Sequence, residues 1–205
     1  VNECVKASAH ANNTVRRPSG DRRMAKKLQR ALEGTCKLTG LQGRFVESHI
    51  IPAALTRPSK KGNYFLQLGP DQRSKKRWSS WYDPELVTAA GEKYLADLDT
   101  WAIRELRRHK LVWSAWGGKD SLDEKLHNTP GPFGVRVVEG INPIKLRLFF
   151  LSILWRAAAT KLHEFSYVVL PDGHLEMLRQ MILKGDPEPQ SFYPFQLTQL
   201  VTKGF

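Results

Sequence analysis

Apolar residues recur with helical spacing in three stretches of the chain. The longest covers about residues 85–110, and its apolar face comprises Leu86, Tyr94, Leu95, Leu98, Trp101, Ile103 and Leu106. Pro84 suits the first turn of this helix, and Asp83 suits its N-cap. The same spacing predicts an amphipathic helix over residues 173–183, and the continuous apolar stretch at residues 146–159 predicts a buried helix.

Shorter segments bounded by glycine and proline predict strands. Residues 36–51 are expected to form a short turn and two strands, with Cys36 to Gly40 first, a turn at Gly43, and then a strand over residues 44–51 that Pro52 ends. Residues 64–66 and 167–170 predict two further short strands. Strands and helices together place the chain in the α+β fold class.

The N-terminal part has a different character. Residues 1–19 are polar and irregular, which predicts a mobile arm. A basic helix is expected from Asp21, with Met24, Leu28 and Leu32 on one face and Gly34 as its end. Its charged face is either a solvated surface or a phosphate contact.

The net charge and the length of the longest apolar stretch indicate which kind of partner the protein binds. The chain has 32 Lys and Arg against 20 Asp and Glu, a net charge of +12, which favours a polyanion. The apolar stretch 146–159 is shorter than the roughly 20 residues of a spanning helix and contains Arg147 and Arg156, so no membrane partner is expected. No secretory signal is recognised, and Cys4 and Cys36 show no pairing pattern, which favours a reducing, cytoplasmic setting.

The segment Glu-Ser-His-Ile-Ile-Pro at residues 47–52 is the most distinctive motif. It resembles the first strand of the HNH endonuclease superfamily, and residues 148–156 resemble a helix of a group of bacterial HNH-related proteins. The resemblance implies a small ββα-metal core embedded in a larger, mainly helical domain. It also implies that His49 is the general base of a nuclease, which activates water beside a divalent cation.

The spacing that follows places the partners of His49. Aligned on the family pattern, Asp83 falls on an Asn position and Glu92 on a metal-ligand position at the start of the helix. Asp83 then either positions the base or the metal, or is a plain N-cap. A carboxylate at Glu92 suits Mg²⁺ or Mn²⁺.

Two residues beside His49 extend the implied ligand set. Ser48 replaces an aspartate that often binds metal in the family, and Glu47 shares a face with His49 on a regular strand. The set is therefore sparse: Glu92, with Glu47, Ser48 or Asp83, water and substrate phosphate.

Many family members also hold a structural zinc with two Cys-x-x-Cys knuckles. The corresponding positions here are Cys36 and Thr39 in the first knuckle and Thr88 and Gly91 in the second. One sulfur of four remains, so no structural zinc is expected.

A basic insert at residues 57–77 separates the strand from the helix and is expected to contact phosphates. Trp78 follows it and could stack on an unpaired base. The expected nucleic-acid contacts are Arg57, Lys60, Lys61, Arg73, Lys75, Lys76, Arg77 and Trp78. A solubilising loop is the alternative interpretation.

The implied organisation is an arm at residues 1–19, an HNH-like nuclease region at 20–110 and a mainly helical extension at 111–205. The first hypothesis is a metal-dependent endonuclease acting on DNA rather than RNA, in keeping with family members that serve in bacterial or phage defence. The second is an inactive relative that binds nucleic acid or a protein partner, and a homo-oligomer stays open. The third is a protein whose basic surface meets an acidic protein.

Overall fold

A three-stranded antiparallel sheet and the helix that follows it form the frame of the site. The computed structural model describes residues 33–56, 64–69, 72–122, 127–128 and 134–201, all within one unit, Leu32–Phe205. The strands are β1 Glu33–Thr35, β2 Gln42–His49, β3 Phe65–Gly69, β4 Gln72–Arg77, β5 Tyr82–Thr88, β6 His127–Asn128 and β7 Gly134–Val135. The α-helices are α1 Ala53–Thr56, α2 Ala89–Arg108, α3 Pro143–Ala159 and α4 His174–Lys184, with 3-10 turns at Trp113–Ala115 and His163–Phe165.

The main sheet has the order β1-β2-β5, so the two longer strands are neighbours although a long insert separates them. Phe45 pairs with Thr88, and Ser48 pairs with Asp83. The register shifts between Val46 and Ser48. α2 begins directly after β5, whose last residue Thr88 pairs with Phe45, whereas His49 at the end of β2 pairs with Tyr82 at the start of β5. The mixed α+β class is thereby confirmed.

The predicted start of the long helix near Glu85 was wrong. The local bond of the expected cap is present, since Glu85 N–H donates to Asp83 Oδ1 at 2.8 Å, but it forms a turn within β5. The chain then pairs with β2 up to Thr88, and α2 begins at Ala89. The same local hydrogen bond occurs in a turn and at a helix N-cap, so it does not distinguish the two. The pairing of this segment with β2 makes it a turn within a strand.

The core lies between the sheet, α2 and α3. The alternating inner face of the sheet and one face of each helix supply it. Its largest fully buried apolar side chains are Trp155, Phe149, Leu38, Ile50, Leu86, Leu95, Leu178 and Val87. The apolar helix predicted over 146–159 and the amphipathic helix predicted over 173–183 are confirmed as α3 and α4.

A buried arginine in α3 fastens the C-terminal segment to the core. Arg147 donates to the carbonyl oxygens of Pro187 and Pro189, each at 3.1 Å, to that of Tyr193 at 3.2 Å, and to that of Phe192. A guanidinium has five donors in a fixed fork, and here they meet backbone acceptors. The charge inside the apolar helix is explained by this contact.

Other sequence predictions have mixed outcomes. The short strand predicted at residues 64–66 is confirmed as β3, which begins one residue later, at Phe65, and pairs with β4. The strand predicted at 167–170 was wrong: Val168 N–H donates locally to the Phe165 carbonyl, and Val169 is 80% exposed. The arm at 1–19 and the basic helix from Asp21 to residue 32 lie outside the described residues. The predicted end of that helix at Gly34 was wrong, because Glu33–Thr35 forms strand β1, which pairs with β2. Among the described helices, none combines the length and the apolar character needed to cross a membrane.

Candidate active site

His49 ends β2 on the wall of an open cleft of about 570 Å³. Its ring meets that of Tyr82, its partner across the sheet, edge to face with 6.4 Å between ring centres. The opposite wall is one face of α2, which contributes Glu92, Ala96, Asp99, Thr100, Ile103, Arg104 and Arg107. Strand and helix therefore bring an imidazole and a carboxylate to one cavity.

Glu92 and Ser48 carry buried oxygens with no hydrogen-bond partner among the described residues. Glu92 lies in the first turn of α2, where the helix dipole favours an anion. Its Oε2 is buried without a partner, and so is Oγ of the fully buried Ser48. The Ser48 hydroxyl lies close enough to the Glu92 carboxylate to lower its pKa, and Ser48 does not line the cleft. Buried polar atoms are nearly always paired, so the oxygen of Glu92, which does line the cleft, indicates a place for a further ligand.

The electrostatics of Glu92 follow from its surroundings. Burial is the largest effect and raises the pKa of Glu92 above its ordinary value. The Ser48 hydroxyl and the charges of Arg156 and His49 lower the pKa, and the negative charge of Asp99 raises it. The net shift is upward, so the fold holds an ionised carboxylate at a free-energy cost.

Replacing Glu92 by glutamine is expected to stabilise the free protein at neutral pH. A carboxyl whose pKa is raised in the folded state favours folding below its unfolded pKa, and that stability is lost as pH rises through the folded pKa. Glutamine does not titrate. The difference in melting temperature between Glu92→Gln and wild type should therefore grow from about pH 4 to pH 8. Asp97→Asn, at an exposed position of the same helix, is the control, and an equal pH dependence in both variants would refute the burial argument.

A buried arginine joins α3, α2 and β2 behind the cleft. The side chain of Arg156 is 1% exposed and forms two hydrogen bonds of 2.8 Å with the carboxylate of Asp99. It also donates to the backbone carbonyl of His49 at 3.0 Å and to the hydroxyl and carbonyl of Ser152. Arg156 therefore holds the backbone that carries the His49 imidazole, and it occupies the carboxylate of Asp99.

The cleft wall lacks three of the predicted site residues: Ser48, Asp83 and Glu47. Asp83 is buried, accepts from Thr160 Oγ1 at 2.6 Å, and does not line the cavity. Directly paired side chains share a face of a sheet, so Asp83 lies with Ser48 on the face opposite to His49. Glu47 is exposed at the register shift of β2 and is also absent from the cleft wall.

The far end of the cleft is basic, which sequence reasoning missed. Arg104 and Arg107 line the same cleft as Glu92, and the side chain of Arg104 is 68% exposed. The rise of about 1.5 Å per residue places Arg107 roughly 22 Å along the axis from Glu92. Helical spacing gave no clear signal for the pair, since at 3.6 residues per turn Arg104 lies about a third of a turn from Glu92 around the helix. Asp99 and Arg156 were also missed, because their contact joins residues of two separate helices.

The four positions aligned with zinc knuckles meet in space. Cys36 Sγ accepts from Thr39 N–H at 3.4 Å, and a Cβ on Gly91 would lie 2.5 Å from that sulfur. Burial raises the pKa of the Cys36 thiol, but hydrogen bonds from Thr39 and Thr88 more than offset it, so the net pKa is lowered. Gly91 therefore serves close packing of α2 on the turn after β1.

Gly91→Ala is expected to destabilise the protein by about 1–3 kcal/mol, because the new methyl group overlaps the Cys36 sulfur. Cys36→Ala removes that sulfur. The double variant should consequently be more stable than the sum of the single changes allows, with a coupling of about 0.5–3 kcal/mol. Urea denaturation of all four proteins measures the coupling, and strict additivity would contradict the close approach.

The basic insert divides into residues with different surroundings. Lys75, Lys76 and Trp78 are exposed, whereas Arg77 pairs with Glu164 and Gln67 and lies over the ring of Trp81. Arg77 therefore fastens the β3–β4 hairpin to the 3-10 turn His163–Phe165. Arg57, Lys60 and Lys61 lie outside the described residues, and so does the side chain of Arg73.

The residues present fit a sparsely held divalent cation. Mg²⁺ keeps several waters and commonly takes one or two carboxylates plus substrate phosphate, and the orphaned oxygen of Glu92 supplies one such ligand. Within the described ranges, no three His, Cys, Asp or Glu side chains form a group that could hold a metal ion. The donors therefore suit a cation that a bound phosphate completes, and they do not form a cage.

Comparison with protein families finds no family model that matches the chain. Comparisons with curated proteins and with solved structures likewise find no match.

Proposed function

We propose that the protein is a metal-dependent endonuclease that cuts DNA, with a ββα-metal core of the HNH type formed by β2, β5 and α2. The observation that carries the proposal is the meeting of His49 and Glu92 in one cleft that Arg104 and Arg107 extend. A general base, a carboxylate for a hard cation and phosphate-binding arginines are the groups that phosphodiester hydrolysis needs.

The order of elements and the packing behind them support the family resemblance. Two antiparallel strands lead into a helix with Glu92 in its first turn. Cys36 and Thr39, on the turn after β1, also meet Thr88 and Gly91, at the four positions that the alignment matched to zinc ligands. The alignment used sequence alone and no contact between these positions, so their convergence in space supports it.

Each residue of the cleft has its own role in the proposed hydrolysis. The His49 imidazole accepts a proton from a water molecule whose oxygen attacks the phosphorus, and the bond from phosphorus to the 3′ oxygen breaks. Arg104 and Arg107 bind phosphates along the strand, and Arg156 keeps the backbone of His49 in place. A Mg²⁺ or Mn²⁺ ion, when bound at Glu92, supplies positive charge at the scissile phosphate and the departing oxygen.

Supercoiled plasmid incubated with the protein tests the proposal. Nicking is expected with Mg²⁺ or Mn²⁺ and should stop when a chelator removes the ion. Glu92→Gln should be inactive with either metal, whereas Asp97→Asn on the same helix should retain wild-type nicking. Cleavage that is unaffected by chelation would overturn the assignment.

The sparse ligand set favours a second candidate, an inactive relative that binds nucleic acid. Ser48 provides a neutral oxygen where an acid is common in the family, and Asp99 is occupied by Arg156. This candidate predicts salt-dependent DNA binding without cleavage in any divalent metal. Measurable turnover that Glu92→Gln abolishes would exclude it.

A further inference from the structure

The β3–β4 hairpin has one face held by the protein and one face turned to solvent. Direct cross-strand pairs are Phe65 with Arg77 and Leu66 with Lys76. Side chains alternate between the faces along each strand, so Phe65 and Arg77 share one face. Leu66 and Lys76 share the other face with the flanking Tyr64 and Trp78.

The inner face is anchored by aromatic and ionic contacts. Phe65 meets Trp81 with 5.6 Å between ring centres, and Trp81 meets Phe165 edge to face at 5.9 Å. Arg77 pairs with Glu164 on the same 3-10 turn. These contacts hold the hairpin on the body of the protein, so its outer face is presented on a fixed support.

The outer face exposes large rings beside a cation. Trp78 is 63% exposed, Leu66 is 55% exposed and Tyr64 is 45% exposed. The rings of Tyr64 and Trp78 meet edge to face at 6.0 Å, and Lys76 Nζ lies 4.4 Å from the centre of the Tyr64 ring. Two rings, an aliphatic side chain and a lysine on one hairpin form a patch, which we call the hairpin face (Tyr64, Leu66, Lys76 and Trp78).

We propose that the hairpin face binds unpaired bases of single-stranded DNA. Exposed rings offer flat surfaces on which bases stack, while neighbouring lysines neutralise phosphates. Base pairs inside a duplex are already stacked on both sides, so their flat faces are not available to Tyr64 or Trp78. The net charge of +12 is complementary to a polyanion. This inference rests on the proposed function and adds a contact for unpaired bases next to the strand that is cut.

The hairpin face also lies within reach of the cleft. Trp78 is four residues before Tyr82, so their Cα atoms are at most about 14 Å apart. Tyr82 pairs directly with His49, with Cα atoms about 5 Å apart in such a pair. At about 3.4 Å of axis per nucleotide in one strand, roughly six nucleotides or fewer separate a base stacked at Trp78 from the phosphate at His49.

Binding of fluorescein-labelled (dT)12 and of a 12-base-pair duplex, measured by anisotropy at one salt concentration, tests the inference. Trp78→Ala is expected to weaken binding of (dT)12 by about 5- to 150-fold and to leave binding of the duplex unchanged. Trp78→Phe should restore most of the affinity, since a phenyl ring also stacks. Trp113→Ala removes a 45% exposed tryptophan outside the hairpin and should bind (dT)12 like wild type.

Equal binding of (dT)12 by wild type and Trp78→Ala would overturn the inference, and so would an equal loss for both substrates. Circular dichroism shows whether Trp78→Ala is folded, which its exposure leads us to expect. If the protein nicks plasmid but Trp78→Ala binds (dT)12 like wild type, the binding role of the hairpin face is refuted and the proposed nuclease activity stands. If (dT)12 binding depends on Trp78 but no cleavage occurs, the binding role stands and the proposed nuclease activity is refuted.

Discussion

His49→Ala is expected to lower the rate of plasmid nicking by about 10²- to 10⁴-fold, the usual contribution of a positioned general base. DNA binding should be retained, because Arg104 and Arg107 lie elsewhere on the cleft wall. The variant should also fold, since Arg156 bonds to the backbone carbonyl of His49 and not to the imidazole. Single-turnover nicking with Mn²⁺ measures the rate, and anisotropy measures the binding.

His163→Ala is the matched control for this change. His163 is exposed at the start of a 3-10 turn and does not line the cleft, so its nicking rate should equal that of wild type. A His49→Ala protein that cuts as fast as His163→Ala would remove His49 from the mechanism.

Arg156→Met is expected to destabilise the fold by about 3–5 kcal/mol. Methionine keeps much of the apolar bulk but leaves the Asp99 carboxylate and the His49 carbonyl without their charged partner. Removing one member of a buried ion pair has a cost of this size, because the remaining charge is no longer compensated. Urea denaturation measures the free energy of unfolding.

A substitution of Asp99 distinguishes the contribution of the ion pair from that of side-chain packing. Asp99→Asn removes the negative charge, so in its presence Arg156→Met should lose less stability, giving a coupling of about 0.5–3 kcal/mol. Arg104→Met, at a 68% exposed side chain of the same cleft, should change stability by no more than about 0.5 kcal/mol. An Arg156→Met protein as stable as Arg104→Met would show that the contacts of Arg156 with Asp99 and His49 do not stabilise the fold.

The helices of the fold were predicted well, as α3 and α4 illustrate. A continuous apolar stretch encodes α3 and an apolar face with helical spacing encodes α4, so both signals lie within one segment and require no particular neighbour. The strand at 167–170 failed for the opposite reason. Its composition suits a sheet, but the chain makes turns there, with Val168 bonded to Phe165.

The site was predictable in part. The motif at residues 47–52 selected His49 and the alignment on the family pattern selected Glu92, and both line the cleft. The same two steps also selected Glu47, Ser48 and Asp83, which do not line it. Whether a polar residue on β2 or β5 faces the cleft depends on the register shift between Val46 and Ser48, and a shift of this kind changes the face without leaving a clear trace in composition.

The sequence by itself determined which residue types could act on a phosphodiester, the positions of the apolar helices and the excess of positive charge. Those properties follow from side-chain chemistry and local periodicity. The tertiary structure alone decided that α2 begins at Ala89, that Arg156 holds Asp99 and the backbone of His49, and that Arg104 and Arg107 continue the cleft. These features depend on which distant segments come into contact. Many residues of the right type could satisfy a given hydrogen bond or ion pair, and only the tertiary packing determines which of them lies within reach.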